Sequence, residues 1–169
     1  MSLNLGSLLE NSTRFFGAET ALINDRGSLT YHELRGHVMA CALALREAGV
    51  QPGDKVAIML PNCMSFTVAY FGILYAGAVV VPISYLAVDR EIAYALNDSE
   101  AVFFVASVDF AERAGPGFAA AAGTKTMLLV DESAGPLTVH HGDFRIERGG
   151  FFDLTQTSPE DTAVILYTS

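Results

Sequence analysis

Between Lys55 and Asp89 the chain runs for 33 residues, 56 to 88, without a formal charge. A stretch of that kind has two destinations, a membrane or the middle of a folded core. A transmembrane helix takes about 20 consecutive apolar residues, so length alone permits a span. The punctuation argues against one: Pro61-Asn62 falls near the start, Gly77 in the middle, and Pro82 and Ser84 toward the end. No basic cluster flanks either side to set an orientation. The run divides instead at these residues into 56–60, about 65–76, and 78–81. Its outer pieces are short and aliphatic or β-branched, as fully buried parallel strands are. The middle piece suits a helix, with Ser65 as its expected N-cap and Gly77 at C′. Strand–helix–strand is expected, and no transmembrane segment.

Composition narrows the class further. At 169 residues, 51% of them apolar, the chain is long enough for one domain or one large piece of a domain, and too apolar for disorder. With 19 acids against 10 bases the net charge is −9, and no Lys/Arg stripe appears, which excludes a dedicated nucleic-acid binder. Cys41 and Cys63 provide neither a disulfide framework nor metal-ligand spacing and read as thiols of a reducing compartment. Arg14 comes too late, and no small-residue cleavage site follows an apolar run, so no secretion signal is read and a cytoplasmic location is expected.

The first ordered signal lies at 21–31, where two short apolar runs flank Asn24-Asp25-Arg26-Gly27 as in a hairpin. Thr30 and Glu33 fit a capping box for the helix that follows. Leu34, Val38, Cys41 and Leu45 share one face of it, and Gly49, Val50 and Pro52 close it. After the uncharged run a second cycle is expected: a helix capped by Asp89 and reaching about Asn97, a strand at 101–106, a short helix at 108–114 stopped by Gly115-Pro116-Gly117, and a strand at 126–130. Residues 131–160 suggest a peripheral hairpin and loop, and 162–167 a last strand. Repeated β-α alternation implies an α/β fold, a layered and mostly parallel sheet flanked by helices.

Few residues announce chemistry. His140-His141 would point to opposite faces of a strand, a poor chelate, and reads as surface imidazole. His32 and His37 lie five apart on a helix and read as satisfied or exposed side chains. Cys41 falls on an apolar helix face. Cys63, near a helix start, has no histidine or second cysteine close in sequence. Asp131-Glu132 follows a strand and suits a solvated loop better than a ribose or metal site. No G-x-S-x-G, complete P-loop or G-x-G-x-x-G is present. No catalytic or metal-ligating residue is assigned.

Five blocks in order nevertheless resemble the start of the adenylate-forming (AMP-binding) enzyme superfamily, in particular its acyl-CoA synthetases. These are Leu29-Thr30-Tyr31-His32-Glu33-Leu34; the stretch 49–62 with Pro52-Gly53-Asp54 and Pro61-Asn62; 71–82 with Ala76-Gly77-Ala78 and Pro82; 91–99 with Asn97-Asp98-Ser99; and 161–169 ending Tyr167-Thr168-Ser169. Residues 107–160 add little. After Pro82 the family often has Asn-Pro, where this chain has Ile83-Ser84-Tyr85-Leu86.

The resemblance implies that residues 1–169 are an N-terminal fragment of the AMP-binding domain, an incomplete part of the family's large N-terminal domain, ending where the ATP-phosphate loop begins. Thr168 and Ser169 match the first hydroxyls of that loop. The full-length parent would use ATP, Mg2+ and coenzyme A to convert a carboxylic, by resemblance fatty, acid into its CoA thioester. The fragment itself is expected to be inactive, to bind none of these tightly, and to self-associate through exposed apolar surface. Two alternatives stay open: an acyl-AMP ligase or an aryl or amino-acid adenylating domain, and a non-catalytic α/β module binding a nucleotide or a protein. Acyl chain length is not read.

Overall fold

A computed structural model describes residues 4–131 and 150–168. His140, His141, Glu132 and Ser169, together with most of the expected peripheral hairpin, lie outside the described residues. The fold opens with a helix that the sequence pattern does not announce, α1 (Leu5–Phe16). Asn4 caps it, its Oδ1 accepting from the Ser7 N–H at 2.9 Å. Its buried side is made of Leu9 with Gly6, Ser7 and Thr13, so a single large apolar residue is buried on it.

The expected hairpin follows, β1 (Thr20–Asn24) against β2 (Gly27–Thr30). Asn24 pairs with Gly27, the Asn24 side chain accepts from the Arg26 N–H at 2.9 Å, and Gly27 takes a φ of +148°. In α2 (Tyr31–Glu47) the capping box is complete. Thr30 Oγ1 accepts from the Glu33 N–H at 3.2 Å, and Glu33 Oε2 accepts from the Thr30 N–H at 2.8 Å. Leu34, Val38, Cys41 and Leu45 are all buried, as their spacing requires.

The uncharged run folds into β3 (Lys55–Met59), α3 (Met64–Tyr75) and β4 (Val79–Pro82). Its cap differs from expectation. The chain is still extended at Cys63 after the Pro61-Asn62 turn, so Cys63 is the N-cap, and Ser65 sits inside the helix, fully buried. Next comes α4 (Asp89–Asp98), again capped one residue early, at Val88. Asp89 is its first helical residue rather than its cap, and Glu91 Oε2 accepts from the Val88 N–H at 3.0 Å.

Beyond β5 (Ala101–Ser107) a 3-10 turn, Val108–Phe110, leads into α5 (Ala111–Ala119). The sequence pattern stops a helix at Gly115-Pro116-Gly117, yet α5 runs through all three. Pro116 forfeits one backbone hydrogen bond, and tertiary packing overrides the loss. Ala114 and Gly117 are buried, and a Cβ on Gly117 would lie 2.7 Å from the Ile92 Cβ, so the glycine marks where α5 presses on α4. Then β6 (Thr126–Val130) completes a four-stranded parallel sheet of order β4–β3–β5–β6.

Both faces of the sheet are covered. Val56, Ile58, Val80, Phe103 and Val105 pack with the buried faces of α2 and α3, and Ala57, Met59, Val81, Phe104 and Ala106 with Ile92, Leu96 and Ala114 of α4 and α5. On the first face Glu10 Oε1 accepts from Arg35 Nε and from the Tyr75 hydroxyl, each at 2.8 Å, joining α1 to α2 and α3. Burial, and then the Glu10 contact, pushes the Tyr75 phenol far up from its ordinary value. The return segment is tied to the same corner, with the Thr155 N–H donating to the Tyr75 carbonyl at 2.9 Å and Asn4 Nδ2 to Thr157 Oγ1 at 3.0 Å.

The helices α2 and α3 also cross at close range. A Cβ added at Gly72 would stand 2.5 Å from Cys41 Sγ and 2.7 Å from its Cβ. Gly72→Ala therefore forces two core helices apart and is expected to destabilise the protein by about 1–3 kcal/mol in urea denaturation. An unchanged midpoint would show that the crossing has slack.

Candidate functional site

In a parallel sheet the strands deliver their connecting loops to one edge, and ligand sites form there, where the strand order reverses. Here the reversal lies at β3, with β4 on one side and β5 on the other. Residues 60–63, 83–88 and 108–110 leave that carboxyl edge. Two of these loops meet: the Tyr85 ring stacks on Phe110 at 5.8 Å and 16°, and the Arg113 guanidinium lies 5.3 Å from the Phe110 centroid.

The chain comes back to this edge along β4, on the side away from β3. A full strand is expected over 162–167, whereas one parallel bridge forms, Val80 with Val164. The Val80 N–H donates to the Ala163 carbonyl, and the Ile165 N–H to the Val80 carbonyl, both at 2.9 Å. The neighbouring donors on β4's side explain the brevity. Ala78 already donates its N–H to the Ile73 carbonyl at 3.0 Å, closing α3, and Pro82 has none to give.

Past Ile165 a side chain takes over. The Tyr167 hydroxyl donates to Asp98 Oδ2 at 2.8 Å, and its ring meets Tyr94 edge-on, with centroids 6.0 Å apart at 79°. Ile165 and Tyr167 pack on the α4–α5 side, while Leu166 is 70% exposed. Burial first, and then the hydrogen bond and charge of Asp98, push the Tyr167 phenol up to about 12. Thr168 follows, exposed, at the carboxyl edge. Sequence reasoning singled out Thr168 but missed Asp98 and Tyr94, because their contact joins residues 69 positions apart.

The remaining candidates do not converge. His32 lies in the first turn of α2 with its imidazole against Gly17, and His37 is half-buried further along the same helix. Asp131 ends β6. Cys41 is buried, which pushes its thiol up to about 12. Cys63 borders a hollow of about 220 Å³ between the hairpin and α3. Among the described residues no three His, Cys, Asp or Glu side chains come together to hold a metal ion, and no helix is long and apolar enough to cross a membrane. A larger groove, about 810 Å³, opens at the opposite edge beside Lys55, Gly77 and Thr162.

A model of the AMP-binding enzyme family matches residues 9–169. The long-chain-fatty-acid–CoA ligase of Bacillus subtilis (strain 168) is 34% identical over 128 residues, which is 76% of this chain and 22% of that protein. Among solved structures, the long-chain-fatty-acid-CoA ligase of Archaeoglobus fulgidus superposes with a TM-score of 0.87 at 22% identity, over 99% of this chain and 35% of its own. The anthranilate CoA ligase AuaEII, in complex with anthranoyl-AMP, does so at 0.88 and 21% identity, over 99% and 32%. At these identities the two structures establish the fold. The chain thus spans between 22% and 35% of the length of these three relatives.

The two thiols offer a check on the site geometry. At about pH 8 a buried Cys41 stays protonated and shielded, so a disulfide reagent should titrate Cys63 alone in the native protein and both thiols after unfolding. Reaction of both at the native rate would contradict the packing of α2 on α3.

Proposed function

The chain belongs to the AMP-binding enzyme family, and from that premise we propose that the protein carrying it is an ATP-dependent acid–thiol ligase of the acyl-CoA synthetase type. The observation that carries this reading is the 34% identity to a long-chain-fatty-acid–CoA ligase across 76% of the chain. In the proposed reaction a carboxylate attacks the α-phosphorus of ATP and releases pyrophosphate. The coenzyme A sulfur then attacks the acyl carbonyl and displaces AMP. Thr168, and Ser169 after it, are assigned to the entrance of the loop that holds the phosphates, where hydroxyls and backbone N–H groups act as donors. The substrate is taken to be a fatty acid and the setting to be cytoplasmic.

The family also implies Mg2+. That ion is usually held by one or two carboxylates together with substrate phosphates; the described residues offer no three-group cage of their own for it, and no step is assigned to it. Residues 1–169 alone are proposed to be a scaffold unit without turnover. Exposed Leu86, Leu166 and Phe151 give that unit apolar surface through which it should self-associate.

Acid-dependent ATP–pyrophosphate exchange by the full-length protein, followed by thioester formation with coenzyme A, is the expected result. Exchange without the thioester would reassign the acceptor to a carrier protein, and no exchange with any carboxylic acid would sink the ligase reading. Residues 1–169 alone should give no exchange and should sediment as more than a monomer at high concentration.

A further inference from the structure

Resting on the ligase reading, we propose that Asp98 is a positioning residue for the phosphate loop: through Tyr167 it fixes the direction in which the chain leaves the sheet at Thr168. Three observations carry this. First, the main chain is held to β4 only as far as Ile165, because Pro82 lacks the N–H that the next rung of the ladder would use. Second, the Tyr167 side chain takes over as the anchor, with its hydroxyl 2.8 Å from Asp98 Oδ2 and its ring against Tyr94, while Leu166 on the other side is exposed.

Third, Asp98 occupies an unfavourable place. It is the last residue of α4, whose last turn holds no basic residue, and the helix dipole disfavours a carboxylate there. The phenol supplies that carboxylate with a charge-assisted hydrogen bond, which offsets the penalty and is strongly directional. Adjacent Cα atoms stand about 3.8 Å apart, so a shift of Tyr167 passes almost undiminished to Thr168. A misplacement of about 1 Å is enough to impair a positioned group.

The test uses the full-length protein with Asp98→Ala, Tyr167→Phe, the double variant, and Asp98→Asn, whose amide oxygen still accepts from the phenol. In pyrophosphate exchange, Asp98→Ala and Tyr167→Phe should each raise KM for ATP roughly tenfold and leave KM for the acid within about twofold. Asn should restore most of the loss, and the double variant should be no worse than either single one. KM values for ATP and acid that move together, or additive losses in the double variant, would overturn the proposal. If Asp98→Ala does not fold, Tyr167→Phe and Asp98→Asn carry the comparison. Should the wild-type protein show no exchange, it is the ligase reading that fails. The clamp is then judged by NMR titration of the tyrosine rings: Asp98→Ala, which removes both the hydrogen bond and the charge, must lower the Tyr167 phenol from about 12. An unchanged titration would overturn the clamp itself.

Discussion

Everything in this molecule is arranged around the enclosure of β3. It pairs with β4 on one side and β5 on the other, and Val56, Ala57, Ile58 and Met59 are completely buried. A charge placed there would be stripped of water and cost several kcal/mol unless paired. These four positions therefore tolerate only apolar side chains, alternately facing the two helical layers. Because its neighbours run parallel to it, each connection must cross the sheet as a helix. One of those helices, α3, is itself apolar nearly all round and lies beneath α2 at a separation that only a glycine at position 72 permits.

That enclosure accounts for what could be read in the amino-acid order. Where local chemistry and burial agree, the pattern was legible: the uncharged run as strand, helix and strand, the Thr30–Glu33 capping box, and the closing glycines at 49 and 77 with φ of +95° and +75°. Where tertiary contact overrides local preference it was not. The helix α1 was passed over although Leu5, Leu8 and Leu9 recur at helical spacing, because its buried side joins Leu9 to Gly6, Ser7 and Thr13 rather than to further large apolar residues. The helix α5 survives Gly115-Pro116-Gly117 because Gly117 is pressed against Ile92. The caps at Cys63 and Val88 were misplaced by one or two residues because turn geometry, rather than a hydroxyl or carboxylate at the cap, sets those helix starts.

The candidate site shows the same division. That the chain passes a strand-like segment before Thr168 was legible, and the role of Thr168 at a phosphate loop rests on resemblance alone. How the chain is brought there was not, because both controlling features belong to distant segments. The length of the last ladder is limited by the missing N–H of Pro82 and the committed N–H of Ala78, and its exit is set by a carboxylate at the end of α4. A strand propensity read over 162–167 contains neither fact.

Two concave regions compete for a ligand, and the geometry separates them. The groove at the amino edge is walled by the return segment, 156–163, lying against the starts of α1, β3 and β4. Its polar groups are partly engaged within the chain, Lys55 Nζ with Glu100 at 3.8 Å and Asn4 with Thr157, so it is a seam between packed pieces. The carboxyl edge instead gathers the N-termini of α3 and α4, and the first turn of α3 holds no acidic residue to cancel its positive dipole end. A chain with a net charge of −9 has no overall field to draw a polyphosphate in. Attraction must come from donors aimed at close range. An exposed hydroxyl such as that of Thr168 contributes only if the backbone holds it in place, and with the β4 ladder ended at Ile165 that task falls to Tyr167 and Asp98.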